Sequence, residues 1–305
     1  PCDYNWPRIG TWRVDEARFP RGLAPIGEAC KENDVDFLLW FEPERVRKGE
    51  EIDREHPEFL LSVEGSDNKL FDLGNPEARA WITDRVDSII KASGVKIYRQ
   101  DFNFDPLPIW KENEAPDRIG FLENRHAMGY LAYWDELRAR NPGLVIDSCA
   151  SGGRRNDLET MRRAITLHYT DVGYGEHPIK QKQHREMFEW IPYFRAHNMN
   201  WFDPETGKYD GKEREPDKFA YYNAFAPSMT DMIRYDVDEK KARYVCEIHR
   251  RWKTLAKIMV EGDYYPITEC RGSTEDWYAV QFDDPEKRCG FVILIRNADA
   301  VEDFF

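Results

Sequence analysis

The sequence predicts an α/β fold, a (β/α)8 barrel of the TIM type that lacks its first strand or strands and is followed by the start of an antiparallel β domain. Three observations point there. Short apolar runs alternate with segments of helical periodicity between about residues 35 and 260, the rhythm of parallel strands joined by outer helices. No strand-like run is followed by a GxGxxG phosphate loop, which argues against an open nucleotide-binding sheet. Polar or charged residues recur just past the C-terminal ends of several strands: Glu42 and Glu44, Asp101 and Asn103, Cys149 to Arg155, and Asp171. A barrel carries its site on that rim, assembled from several strands.

The elements follow in order. VDFLLWFE (35–42) is a nearly continuous apolar run, the pattern of a strand buried on both faces. In 75–93, Ala78, Trp81, Ile82, Val86, Ile89 and Ile90 recur at helical spacing, with Asn75 as N-cap, Pro76 at the first helical position and Gly94 as the stop. A strand at 95–101 is followed by a helix over about 124–140, closed by NPG. Strand 144–149, a helix near 155–163 and strand 165–171 come next, then a helix over about 180–197 leading to NMNWF (198–202). YNAFAPSMT (222–230) is a weaker strand signal, and a long helix runs over about 238–260. About six strand–helix units are visible in this span, so the first strands are expected upstream of Pro1. After Gly262 the period changes to two strands, 276–282 and 289–296, around a polar turn. The expected domains are 1–262, the barrel, and 263–305, the beginning of a C-terminal β-sandwich domain. The charged Gly/Pro stretch 203–218 reads as a rim loop.

Composition narrows the function. With 305 residues the chain is long enough for a sizeable core. Its net charge of -13 argues against a nucleic-acid partner, because phosphate repels an acidic surface. It contains no run of about 18 apolar residues to cross a membrane. The six cysteines form no CxxC pair, so they read as buried free thiols and not as a zinc knuckle or disulfide framework. Ten Trp and fifteen Tyr suit a site with flat apolar walls, such as a sugar site, and equally suit an aromatic core. The chain starts without Met or a signal-like segment, and its compartment is left open.

Two acids stand out by position. Asp101 and Asp171 each end a strand, and two strands of a barrel with one between them can bring both tips to one mouth. Glycoside hydrolysis needs such a pair, one carboxylate to attack the anomeric carbon and one carboxylic acid to protonate the leaving oxygen. Strand-end aspartates also cap helices or pair with arginine, and for a single such residue that is the commoner role. Arg99, two residues before Asp101, shares its strand face. The Gly152-Gly153 turn lets backbone approach a ligand closely. A barrel metalloenzyme using Glu42, Glu44, Asp101 and His168 is an alternative from the same residues.

LLWFEPERV (38–46), HPEFLL (56–61), DFN (101–103), CASGGRRNDL (149–158) and YTD (169–171) occur in this order. Together they resemble the catalytic barrel of glycoside hydrolase family 36, the α-galactosidases and α-N-acetylgalactosaminidases, over most of residues 1–265. The resemblance implies a retaining glycosidase with no metal or cofactor, acting on an α-linked galacto-oligosaccharide or glycoconjugate, and it implies assembly into homo-oligomers. The family's nucleophile falls on Asp101 and its acid/base on Asp171. Its substrate-binding positions fall on Asp3 and Trp6, Trp40, Asn103 (toward the sugar 2-position), and Cys149 and Gly152 of the turn. Arg99 stands where the family has Lys and His168 where it has Trp; a guanidinium fork does not replace an ammonium one-for-one. The family's sugar-binding Arg has Lys69 as its nearest counterpart. An α-N-acetylgalactosaminidase, a galactosyl-transferring relative and a non-catalytic carbohydrate-binding homologue are the other readings.

Overall fold

The computed structural model describes residues 8–165, 169–171, 176–198, 200, 214–231 and 237–301. The chain forms two compact units, Pro1–Thr166 and Leu167–Phe305.

The elements of the first unit are α1 (Ala24–Glu32), β1 (Leu38–Phe41), β2 (Arg45–Arg47), α2 (Glu51–Glu55), β3 (Leu60–Leu61), β4 (Asn68–Phe71), α3 (Pro76–Ser93), β5 (Ile97–Gln100), α4 (Leu107–Asn113), α5 (Phe121–Arg140), β6 (Val145–Ser148) and α6 (Leu158–Met161). Its centre is a parallel sheet in the order β1-β5-β6. The register aligns Trp40 with Arg99 and Arg99 with Asp147, so the three strands end level with one another. Ile165 adds a parallel bridge to Asp147, the one described trace of the strand predicted at 165–171; 166–168 lie outside the described residues.

Each parallel step is carried by a helix whose signals are local. The Asn75 side chain accepts from the Glu77 amide at 2.9 Å, and Gly94 closes α3 at φ 69°; such a cap contributes about 1 kcal/mol. Ala78, Ile82, Val86 and Ile90 of α3 and Tyr133, Trp134 and Leu137 of α5 bury one stripe each against Phe71, Tyr98 and Ile146. At Gly129 of α5 a Cβ would lie 2.1 Å from the Leu73 carbonyl oxygen, so only glycine permits this approach.

Two expectations change here. β1 was expected to be buried on both faces, yet Leu38 and Leu39 are half-buried and Trp40 is 36% exposed. β1 is an edge strand of its sheet among the described residues. Between β1 and α3 the chain also forms an antiparallel sheet in the order β2-β4-β3, built from strands of two to four residues, too short to show a period.

The second unit contains α7 (His177–Trp190), β7 (Arg195–His197), α8 (Lys218–Asn223), β8 (Ser228–Thr230), α9 (Glu239–Glu261), β9 (Asp263–Pro266), β10 (Trp277–Asp284) and β11 (Cys289–Arg296). The helix expected over 180–197 ends at Trp190, and 195–197 is a strand paired in parallel with β8. Ile191 precedes Pro192, and the proline ring disfavours helical backbone at the residue before it. Most of the strand expected at 198–202 lies outside the described residues. The antiparallel sheet has β10 at its centre, flanked by β11 and β9. Tyr278, Val280 and Phe282 of β10 pack with Phe188 of α7 and Phe194 in one core.

Among the described residues Cys30, Cys149, Cys246, Cys270 and Cys289 are free thiols. Cys246 and Cys289 are exposed, against the expectation of buried thiols, because they face outward on α9 and at the start of β11. No described helix is long and apolar enough to cross a membrane.

Candidate active site

Asp101 is the first residue past β5, and its amide donates to the Phe41 carbonyl of β1 at 2.9 Å. The ladder thus fixes its backbone. The side chain is 8% exposed and fully engaged: Oδ1 accepts from the Phe102 amide at 2.8 Å and the Ser151 amide at 3.2 Å, and Oδ2 accepts from Trp40 Nε1 at 3.2 Å. Burial alone would raise its pKa. The facing Asn103 amide, the two backbone N–H groups and the Cys149 thiol outweigh it and hold Asp101 below the ordinary carboxylate range. The buried carboxyl therefore stays ionised, as a nucleophile must.

Its neighbours come from three strand ends. Trp40 on β1 presents a half-exposed indole beside the carboxylate. Asn103 accepts a hydrogen bond at Oδ1 from Ser151 Oγ (3.1 Å), and its backbone N–H donates to Glu42 Oε1 at 2.7 Å. Its side-chain Nδ2 is buried and outside hydrogen-bond geometry with every described group, although it lies near enough to Asp101 to stabilise the charge. Cys149, just past β6, is pushed up to about 12 by burial and by the Asp101 charge, so it remains a neutral thiol. The turn behind it closes by an Ala150 amide to Gly152 carbonyl bond of 2.9 Å, with Ser151 at φ 49° and Gly152 at φ 82°. Arg99, on β5, forms its ion pair with Asp147 on β6, its register partner.

Glu42 is 1% exposed; burial raises its pKa, countered by its 2.7 Å bond from Arg45 and assisted by the nearby Asp101 charge. Glu44 is fully buried beneath. Arg155 reaches both its oxygens (2.6 and 2.7 Å), His126 Nε2 lies 2.7 Å from Oε2, and Gln100 Nε2 donates to Oε1 at 2.8 Å. Burial opposes the charge, and these donors override it, taking Glu44 to about 2. The Arg155 guanidinium is stacked between Phe102 and Tyr130, 4.5 Å from each ring centre. This carboxylate is committed to holding the loops together. Among the described residues no three His, Cys, Asp or Glu side chains converge on a metal position.

Asp171 is exposed and belongs to the second unit. Within that unit its charge acts on Lys180 of α7, which is 2% exposed; burial pulls this lysine down to about 8 against the pull of Asp171. The Lys180 Nζ lies 5.4 Å from the ring centre of Tyr169. Lys69 is engaged by Asp53. Asp3, Trp6 and His168 lie outside the described residues. Glu44 was singled out from the sequence only as a rim acid and metal-ligand alternative, and Ser151, Arg154 and Arg155 only as part of the polar run 149–155; His126 and the contacts that join these groups were not read from it. No local signal joins these groups, because partners that define them lie far apart in the chain, Ser151 and Asn103 by 48 residues and Arg155 and Glu44 by 111.

The sequence profile of the Melibiase family matches residues 5–173, more than half of the chain. The α-galactosidase Mel36A of Lactobacillus acidophilus is 29% identical over 156 residues, 49% of this chain and 21% of that protein. The solved α-galactosidase of Lactobacillus brevis superposes with a TM-score of 0.79 at 20% identity, covering 91% of this chain and 38% of that one. A GH36 α-galactosidase AgaA variant of Geobacillus stearothermophilus, in complex with stachyose, superposes with a TM-score of 0.74 at 18% identity, covering 92% and 39%. The chain thus spans about two fifths of these structures, and its matched segment about a fifth of the curated relative. The structural likeness shows an α/β barrel-like fold with a β domain. With its residues 5–173 matched, this chain belongs to the Melibiase family, a GH36-type lineage.

Proposed function

We propose that the chain is the catalytic part of a retaining α-galactosidase that cleaves terminal α-galactosides of oligosaccharides by double displacement. The observation that carries this reading is the ionised, buried Asp101 held at a strand end by Trp40, Phe102 and Ser151. Its relatives are α-galactosidases, and the AgaA structure holds stachyose, whose terminal sugar is α-galactose. On this reading residues 1–262 are the barrel, without its first strand or strands, and 263–305 open the C-terminal domain.

The chemistry assigns each group a task. Asp101 attacks the anomeric carbon from the face opposite the leaving oxygen and forms a covalent glycosyl ester, while Asp171 protonates that oxygen. Asp171 then takes a proton from water, which attacks the ester from the first face, so configuration is retained. Trp40 offers its indole to the sugar's apolar C–H face. Asn103 Nδ2, buried beside Asp101, is the donor assigned to the 2-hydroxyl.

The first sugar released from an aryl α-galactoside is expected to be α-galactose, seen by proton NMR before mutarotation; β-galactose as first product would contradict double displacement. Because Asp101 titrates below the ordinary carboxylate range, kcat/KM should hold down to about pH 4 before falling on the acid side. An acid limb at pH 5 or above would assign that limb to another group.

A further inference from the structure

The Asn103 side chain has two chemically opposite ends: Oδ1 accepts from Ser151, and Nδ2 lies against Asp101 without a hydrogen bond of good geometry. Ser151 Oγ lies 3.1 Å from Asn103 Oδ1 and 3.3 Å from the Phe102 carbonyl. It has one proton to give. The Phe102 carbonyl already accepts from Arg154 Nη2 at 2.8 Å, and Arg154 Nη2 also donates to Ser151 Oγ at 3.2 Å. Arg154 is anchored in turn by its Nε bond to the Ala150 carbonyl at 2.9 Å. The relay therefore runs in one direction, from the guanidinium through the Ser151 hydroxyl to the Asn103 carbonyl. The opposite end obeys the same polarity: Nδ2 faces the negative Asp101, where a carbonyl oxygen would be repelled.

We propose that Ser151, backed by Arg154, is a positioning residue that fixes the polarity of the Asn103 amide, so that the site offers the substrate an N–H donor and not a carbonyl beside the nucleophile. The proposal rests on the α-galactoside reading above and deepens it. A substrate must then carry an acceptor oxygen next to the anomeric carbon, and a flipped amide would meet that oxygen lone pair to lone pair. Ser151 sits at φ 49°, which glycine adopts without strain, and its own amide donates to Asp101. Ser151→Gly thus removes the hydroxyl while keeping the backbone bond to the nucleophile.

The test compares Ser151→Gly with the unaltered chain on an aryl α-galactoside and its 2-deoxy analogue. The expected loss in kcat/KM is about tenfold on the first, one hydrogen bond's worth, and less than twofold on the second. Arg154→Met should reproduce the pattern more weakly. Equal losses on both substrates, or none on either, overturn the proposal, since a purely structural turn would not distinguish them. If the unaltered chain cleaves no α-galactoside, the functional reading fails by itself, and the relay is still read from the Asn103 side-chain NH2 signals by nitrogen-15 NMR. Signals that shift and broaden in Ser151→Gly support the pinned amide; unchanged signals overturn it.

Discussion

Asp101→Gly is expected to lower kcat on an aryl α-galactoside by roughly 10^4- to 10^6-fold, the scale on which removing a catalytic nucleophile acts. The size follows from what the side chain does: it supplies the bond that replaces the leaving group, and no other carboxylate shares its hydrogen bonds from Trp40, Phe102 and Ser151. The vacated space should admit azide. Azide would enter from the face Asp101 used, and the product would be the β-galactosyl azide. In Asp171→Ala the glycosyl-Asp101 ester still forms from a substrate with a good leaving group, and azide then attacks from the other face, giving the α-azide. The two variants should therefore be separated by product stereochemistry. The same azide from both, or near-normal hydrolysis by Asp101→Gly, would remove the assignment.

Arg155→Met is expected to give the largest stability loss. Glu44 is fully buried and relies on Arg155 for bonds to both its oxygens. Removing one partner of a buried pair leaves an uncompensated charge, at a cost of about 3–5 kcal/mol, a large share of a domain's net stability. For a unit of this size that is a fall of about 10 °C in Tm, measured by calorimetry. Glu44→Gln added to Arg155→Met should recover part of the loss, because it removes the stranded charge. The pH dependence has a fixed sign. Glu44 titrates at about 2 in the fold, against an ordinary 4.5. Its contribution is complete above about pH 4.5 and is lost as pH falls toward 2, about 3 kcal/mol in all. In Arg155→Met that acid-side decline should flatten. An unchanged Tm and an unchanged acid slope would show that the pair holds nothing together.

What the sequence made legible was what it encodes locally. Asn75, Pro76 and Gly94 bound α3 because caps and stops act within a turn of the residues that cause them. β10 and β11 were readable because eight residues suffice to show a period. The sheet of β2, β3 and β4 was not, since its strands are held by pairing across intervening chain and not by pattern. The end of α7 was legible at Ile191-Pro192, and the apolar run through it obscured the stop. In the site, Asp101 and Asn103 were marked by their place past a strand end and Trp40, Cys149 and Gly152 by motif resemblance; the structure sets Trp40, Asn103 and Cys149 beside the Asp101 carboxylate, with Gly152 in the turn behind Cys149. Ser151 and Arg155 carry no local signature, because each acts through a partner distant in the chain.

The central claim is that Asp101 becomes covalently bound to the sugar. A 5-fluoro-α-galactosyl fluoride tests it most directly: the ring fluorine slows both steps, and the fluoride leaving group restores the first, so the ester accumulates. Intact-protein mass spectrometry should show one added fluorogalactosyl group, and peptide mapping should place it on the segment containing Asp101, with no label in Asp101→Asn. A label on a different residue, or turnover of the reagent with no adduct and inverted product, would contradict the account.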